Sequence, residues 1–350
     1  MNFLGFLKAR LLFIAMISTG LSAFSAENLT LPQSGIGQYV SGLSTALLEK
    51  VTPAQKEKIK LSFDSKKRNE WRYFPEPSLA TKLFFPSRAG VSYLSLNDDA
   101  KVLVDQTLAI ALSNQGLTTL KSILELEKNK SIEFRGLLNS ILFKYGPENY
   151  FVTIFGTPGV GHWAWRFEGH HISVNLTFVD SKLVSTSPLF LGTTLASVAV
   201  GNETIQVMPQ LIVELNTFAK SLSDDQKVTA TQSLKNVPKF NPVAPQLFGG
   251  GVNTKVLAEK GLQASQLSRP QIESLKLILT EFAKELNTST RDHLTELLDE
   301  ENMSTAEVLW AGDFEMKEPF YVRLKSAKFV FELNTSEGHA DHYHAAWISL

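Results

Sequence analysis

The hydrophobic pattern divides this chain into two kinds of segment. In the first kind, apolar residues recur at helical spacing. Val102, Leu103, Leu108, Ile110 and Leu112 mark one such run, and Ile272, Leu275, Leu277, Leu279 and Phe282 mark another. The helix starts share a punctuation. Thr52-Pro53-Ala54-Gln55, Ser223-Asp224-Asp225-Gln226 and Ser268-Arg269-Pro270-Gln271 each set a hydroxyl three residues before a glutamine. The hydroxyl can accept from a free N–H of the first turn while the glutamine reaches back to the cap, which is a capping box. Asn97-Asp98-Asp99-Ala100 is a looser version, and Asp98, Asp99, Asp224 and Asp225 suit the positive end of a helix dipole.

In the second kind, side chains alternate. If Glu168-Gly169 forms a two-residue turn, Phe167 pairs with His170, Arg166 with His171, Trp165 with Ile172 and Trp163 with Val174. One face then carries Trp163, Trp165, Phe167, Ile172, Val174 and Leu176, and the other carries Arg166, His171, Ser173, Asn175 and Thr177. His170 falls on the apolar side and reads as a packed, hydrogen-bonded histidine; His171 falls on the polar side. A hairpin about Lys325-Ser326 repeats the arrangement, with Val322, Leu324, Phe329, Phe331 and Leu333 inward and Arg323, Lys328, Glu332 and Asn334 outward. Such polar strand faces are ordinarily solvated. The functional alternative is a pocket lined from both hairpins, with Glu332 as ligand or base and Arg166 and Arg323 holding an anion.

The spacing of these signals predicts a duplication. Thr52 and Ser223 lie 171 residues apart, as do Asn97 and Ser268, and the two alternating segments lie 157 apart. The expected fold is α+β: two pseudo-repeated halves, about residues 45–200 and 215–350, each a helical pair followed by an antiparallel hairpin or sheet, packed as one globular unit over residues 27–350. Coincidence between common capping boxes and similar hairpins is the competing explanation.

Composition narrows the chemistry. The chain has 350 residues and a formal net charge of −1, and no Lys/Arg stripe with interleaved aromatics that would serve nucleic acid. Cysteine is absent, which excludes disulfides, thiolate metal sites and cysteine nucleophiles. Residues 1–26 read as a secretory signal: Lys8 and Arg10 precede the short apolar run Leu11–Ile17, and small residues follow at Ser22–Ala26. The run is too short to span a membrane comfortably, and no later segment is long and apolar enough. The expectation is an exported, periplasmic or extracellular protein.

Six of the seven histidines fall in two clusters, His162 with His170-His171, and His339, His342 and His344. His342-Tyr343-His344 on a strand would point both imidazoles one way. With His171, or His170 in its place if the register differs, and a carboxylate such as Glu332, they could surround a divalent ion: Zn, Fe, Mn or Cu. Asp341 or Asn334 could orient an imidazole from behind. The alternatives are a metal-free cleft using Trp163, Trp165, Trp310 and Trp347 as stacking surfaces, and a tail that binds metal only adventitiously. No Walker loop, HExxH helix, GxSxG elbow or dinucleotide fingerprint is present. Gly249-Gly250-Gly251 reads as a loop, and His293 as a surface residue.

Phe155-Gly156-Thr157-Pro158, the stretch Trp165–Asn175, Thr186–Gly192, Trp310-Ala311-Gly312, Tyr321-Val322-Arg323, and Phe331–Asn334 followed by His342–Trp347 together resemble the uncharacterised DUF3500 family. The resemblance covers nearly all of the chain beyond residue 26. It implies no activity, and it puts His170, His171, Glu332, His342 and His344 on family motifs, but not His162 or His339. Two functions follow as expectations. One is an exported metalloprotein, hydrolytic or redox, acting on a small molecule, anionic where Arg166 and Arg323 hold it. The other is an exported, non-catalytic ligand-binding protein.

Overall fold

The computed structural model describes residues 33–72, 74–79, 81–84, 87–128, 142–200, 203–231, 260–336 and 339–350. The expected signal segment and the Gly249-Gly250-Gly251 loop lie outside them. Helices α1 (Gln33–Lys50) and α2 (Pro53–Ile59) lead into short strands β1 (Lys60–Leu61), β2 (Glu76–Pro77) and β3 (Val91–Ser92). Helices α3 (Asp98–Ala111) and α4 (Asn114–Lys128) follow. Next come β4 (Phe143–Lys144), β5 (Phe151–Thr157), β6 (Val160–Gly169), β7 (Ile172–Val179), β8 (Lys182–Ser185) and β9 (Leu189–Thr193). A small hairpin, β10 (Ser197–Val200) and β11 (Glu203–Gln206), precedes helices α5 (Pro209–Ser221) and α6 (Asp224–Ala230). Strand β12 (Leu262–Gln263) and helices α7 (Arg269–Ala283), α8 (Thr288–Thr295) and α9 (Glu300–Ser304) lead to β13 (Glu307–Gly312), β14 (Phe320–Lys325), β15 (Phe329–Ser336) and β16 (His339–Ser349).

The helix starts form as their residues dictate. Thr52, Ser223 and Ser268 each make both hydrogen bonds of a capping box, and Asn97 caps Ala100 N. The fold is mixed α+β. Twelve strands make one mixed sheet in the order β1-β5-β6-β7-β9-β16-β15-β14-β13-β12, with β3 also on β5 and β8 also on β7. Among the described strands only β1 joins in parallel, to β5; β9 and β16 meet antiparallel in the middle.

One face of the sheet packs on the helices. Trp163, Trp165, Phe167, Ile172, Val174, Val322, Leu324 and Phe331 share a core with Val104 and Leu108 of α3, Leu120 and Ile123 of α4, and Leu275, Ile278 and Phe282 of α7. Trp163, Trp165, Trp310 and Trp347 are all fully buried there. They are core, which removes them as stacking surfaces for a ligand. The opposite face is polar but not solvated: Arg166, Ser173, Asn175, Arg323, Glu332 and Asn334 are buried as well. Over β6 and β7 the cover includes the segment after β1. There the Arg166 guanidinium donates to the carbonyls of Lys67 and Arg68, and Arg88 Nη2 donates to Gly169 O at 3.1 Å.

Both hairpins turn two residues later than expected. Gly169 pairs with Ile172 and Arg166 with Asn175; Lys325 pairs with Val330 and Arg323 with Glu332. Because each shift moves both strands by a whole period, the inward and outward sets survive away from the tips. At the first tip they do not: His170 and His171 are themselves the turn, so they do not diverge to opposite faces.

The helix layer is joined where α4 begins and α7 ends. Gly116 lets the backbones touch, since a Cβ there would lie 1.9 Å from Glu285 O. Ser113 N donates to that carbonyl at 3.0 Å, and Gln115 Nε2 donates to Glu285 Oε1 at 2.9 Å. Burial outweighs these bonds and pushes the Glu285 carboxyl from its ordinary 4.5 up to about 7. The folded protein therefore keeps a proton that the unfolded chain releases, and stability falls as pH rises through that interval. We predict that Glu285→Gln flattens the decline, removing on the order of 2–3 kcal/mol of pH dependence between about pH 5 and pH 8. Urea unfolding at several pH values reads it; identical slopes in both proteins would contradict the assignment.

Candidate metal centre

Two residues of the β6–β7 turn carry the first part of the site. Two-residue hairpin loops need positive φ, and His171 supplies it at 63°. That left-handed conformation costs a residue with a Cβ on the order of 1–2 kcal/mol; strain of this kind concentrates at functional positions. Gly169 serves another purpose. The Tyr150 ring lies against it, where a Cβ would come within 2.3 Å of Cδ1, and Tyr150 Oη donates to His170 O at 2.7 Å. The glycine marks a close approach and not the turn itself, which is why the turn falls beyond it.

The second part comes from β16. His342 and His344, two apart on the strand, face the same way, and His344 lies opposite Gly192 of β9. Gly192 N donates to His171 O at 2.9 Å, tying the turn to the same strand. The missing side chain at position 192 makes the cradle: a Cβ would lie 2.8 Å from His344 Cδ2 and 3.0 Å from His171 Cδ2.

Three imidazoles converge there. His171 Nε2 is 3.1 Å from His342 Nε2 and 3.1 Å from His344 Nε2. All three residues are buried, His171 at 1% exposure, and the group could hold a metal ion. Metal–nitrogen bonds of about 2.0–2.1 Å set two ligand nitrogens about 2.8–3.4 Å apart between a right and a tetrahedral angle. The observed separations fall in that range. His344 Nδ1 lies 3.1 Å from Asn334 Oδ1, which accepts only if Nδ1 carries the proton, and the lone pair of the ring is then on Nε2. Burial, with His342 and His170 beside it, holds the His344 imidazole well below the usual histidine range, so it stays neutral, as a ligand must.

A second group sits behind the first. His170 and His171 stack, with ring centroids 3.7 Å apart, and His170 Nδ1 is 2.6 Å from Glu127 Oε1 at the end of α4. That group, Glu127, His170 and His171, could also hold an ion by proximity. The 2.6 Å contact decides otherwise: it is shorter than the roughly 2.8 Å minimum between two ligands of one ion and suits a shared proton. Glu127 Oε1 also lies 4.0 Å from His171 Nδ1, on the side of that ring away from the other two histidines.

The remaining candidates lie elsewhere. Glu332 sits opposite Ala346 and accepts from the Tyr321 hydroxyl. Arg166 Nε donates to Asn175 Oδ1 at 2.8 Å and its Nη1 to Glu168 Oε1 at 3.3 Å; Arg323 Nη2 donates to Glu307 Oε1 at 3.0 Å. None of the three belongs to either ligand group among the described residues. Asp341 and His162 are exposed, and His293 is half-buried with Nε2 3.1 Å from Leu183 O. Glu127 and Gly192 escaped sequence reasoning. Glu127 left a trace: it lies four residues after Ile123 and seven after Leu120, a carboxylate on the buried stripe of an amphipathic helix.

We predict that Gly192→Ala lowers the unfolding free energy of metal-free protein by about 1–3 kcal/mol, because its methyl has only imidazoles and backbone to displace. Urea denaturation in chelator measures it, and an unchanged midpoint would contradict the cradle.

No curated protein and no solved structure matches this chain. A family described as a protein of unknown function, DUF3500, matches residues 36–349, nearly the whole length, and the match spans both parts of the histidine cluster. The chain belongs to the DUF3500 family.

Proposed function

We propose that this protein is an exported metalloprotein that binds a single divalent ion through His171, His342 and His344. The observation that carries the proposal is the approach of the His342 and His344 Nε2 atoms to that of His171, each at 3.1 Å. Neutral imidazoles have one proton each, and the Asn334 contact places that of His344 on Nδ1. An ion among them would take a lone pair from each of the three. An all-imidazole set suits Zn, Cu or Fe better than Mn. Three protein ligands leave a position for a further group, the pattern of catalytic and not of structural sites, and an ion held this way acts as a Lewis acid on that group. Glu127 is the carboxylate of the site in this reading, holding His170 and facing the rear nitrogen of His171. Glu332, Arg166 and Arg323 have no part in holding the ion in this reading.

Export rests on the sequence pattern of residues 1–26. Among the described residues, no helix is long and apolar enough to cross a membrane. The proposed duplication draws support from matched bonds. Gln55 Nε2 donates to Ser95 O at 2.9 Å and Gln226 Nε2 to Gln266 O at 2.8 Å. Val91 pairs with Val152 as Leu262 pairs with Val308, and Arg166 pairs with Asn175 as Arg323 pairs with Glu332.

Elemental analysis of untagged protein tests the metal. We expect a single transition-metal ion per chain, lost in His342→Ala/His344→Ala and in His171→Ala. Glu127→Gln should weaken binding by about tenfold, as loss of an outer partner does, while Glu332→Gln leaves loading unchanged. Absence of any stoichiometric ion after refolding with zinc, copper or iron salts would overturn the proposal. Full loading of the double histidine variant would do the same.

A further inference from the structure

The polar face of the sheet holds a cavity of about 250 Å³ whose lining includes none of the histidines. Trp71, Phe155, Ala164 and Ile348 form its apolar wall, and Arg68, Arg166, Asn175 and Thr177 are among its polar lining. The volume exceeds that of an apolar cavity of about 150 Å³ that takes up a benzene ring.

The second hairpin indicates what belongs in such a place. Ala164 sits two residues before Arg166 and opposite Thr177. The position two residues before Arg323 and opposite Asn334 is Tyr321. Both side chains lie on the polar face, by the two-residue period of a strand. Tyr321 is buried in a small apolar cluster with Leu309 and Ala311, and its hydroxyl donates to Glu332, the partner of Arg323 as Asn175 is the partner of Arg166. So β14 fills from within, by a phenol ring, the place that Ala164 leaves open on β6. Strand β5 compensates in part, since Phe155 stands beside Ala164 where Ala311 stands beside Tyr321, and the cavity remains.

We infer that this cavity is a binding site for a single-ring phenolic ligand, its ring beside Trp71, Phe155 and Ile348 and its hydroxyl toward Asn175, which stands where Glu332 meets the Tyr321 hydroxyl. The chemistry is that of a tyrosine side chain supplied from outside. Apolar contact provides the affinity and the hydroxyl provides the selection, because a site built to hydrogen-bond a hydroxyl discriminates against the ring that lacks it. The site is independent of the histidine centre and does not require an ion there.

Titration of the full chain with p-cresol, followed by ligand-observed NMR, tests the inference, with toluene as the ring without the hydroxyl. We expect saturable p-cresol binding at millimolar concentration or below, and toluene about tenfold weaker, the loss of one net hydrogen bond. Ala164→Tyr should abolish p-cresol binding and leave metal loading as in the parent; position 321 already accommodates tyrosine. If that variant fails to fold, Ala164→Leu fills part of the same space and should weaken p-cresol and toluene alike. No saturation with p-cresol, equal binding of toluene, or unchanged binding in a folded Ala164→Tyr protein would each overturn the inference.

Discussion

The antiparallel pairing of β9 with β16 is the contact on which the rest depends. Five residue pairs, from Tyr343 opposite Thr193 to Trp347 opposite Leu189, turn two separate strand systems into one sheet. That seam places His344 against Gly192, and the bond from Gly192 N to His171 O brings the first hairpin's tip to the same point. Residues separated by 171 positions, His171 and His342, thereby touch. The seam is held by a ladder and by packing on both sides of it, with Trp347 stacked on Phe329 and the Tyr343 hydroxyl donating to Val207 O.

Burying several imidazoles and a carboxylate in one place is costly unless each polar atom finds a partner. The arrangement meets that requirement in layers. Asn334 meets the rear nitrogen of His344, and Glu127 binds His170 and approaches the rear of His171. The front nitrogens of His342 and His344 both approach that of His171. Three imidazoles gathered in this way could hold an ion. The same economy governs the polar face as a whole, where each arginine is matched to a carboxylate within the sheet, Arg166 to Glu168 and Arg323 to Glu307.

Local signals were legible in the sequence, and approach between distant segments was not. The capping boxes at Thr52, Ser223 and Ser268 form because their bonds are made within four residues. The alternation of Trp163, Trp165 and Phe167 sorted core from polar face, since a strand's period does not depend on its neighbours. The turn was misplaced because Gly169 looks like a residue chosen for positive φ, when it is small to admit Tyr150, and His171 takes the positive φ instead. Glu127 was missed because its partner lies 43 residues away, and helical periodicity marks burial without saying what the buried atom meets. Gly192 could be quoted as part of a motif, but its role as a cradle depends on two imidazoles from other strands.

The most direct measurement is anomalous diffraction from crystals of the untagged protein grown with zinc, with data on both sides of the zinc absorption edge. The account predicts a single strong peak between the Nε2 atoms of His171, His342 and His344, about 2.0–2.1 Å from each. A peak ligated by other residues, or no peak at the seam of β9 and β16, would contradict it.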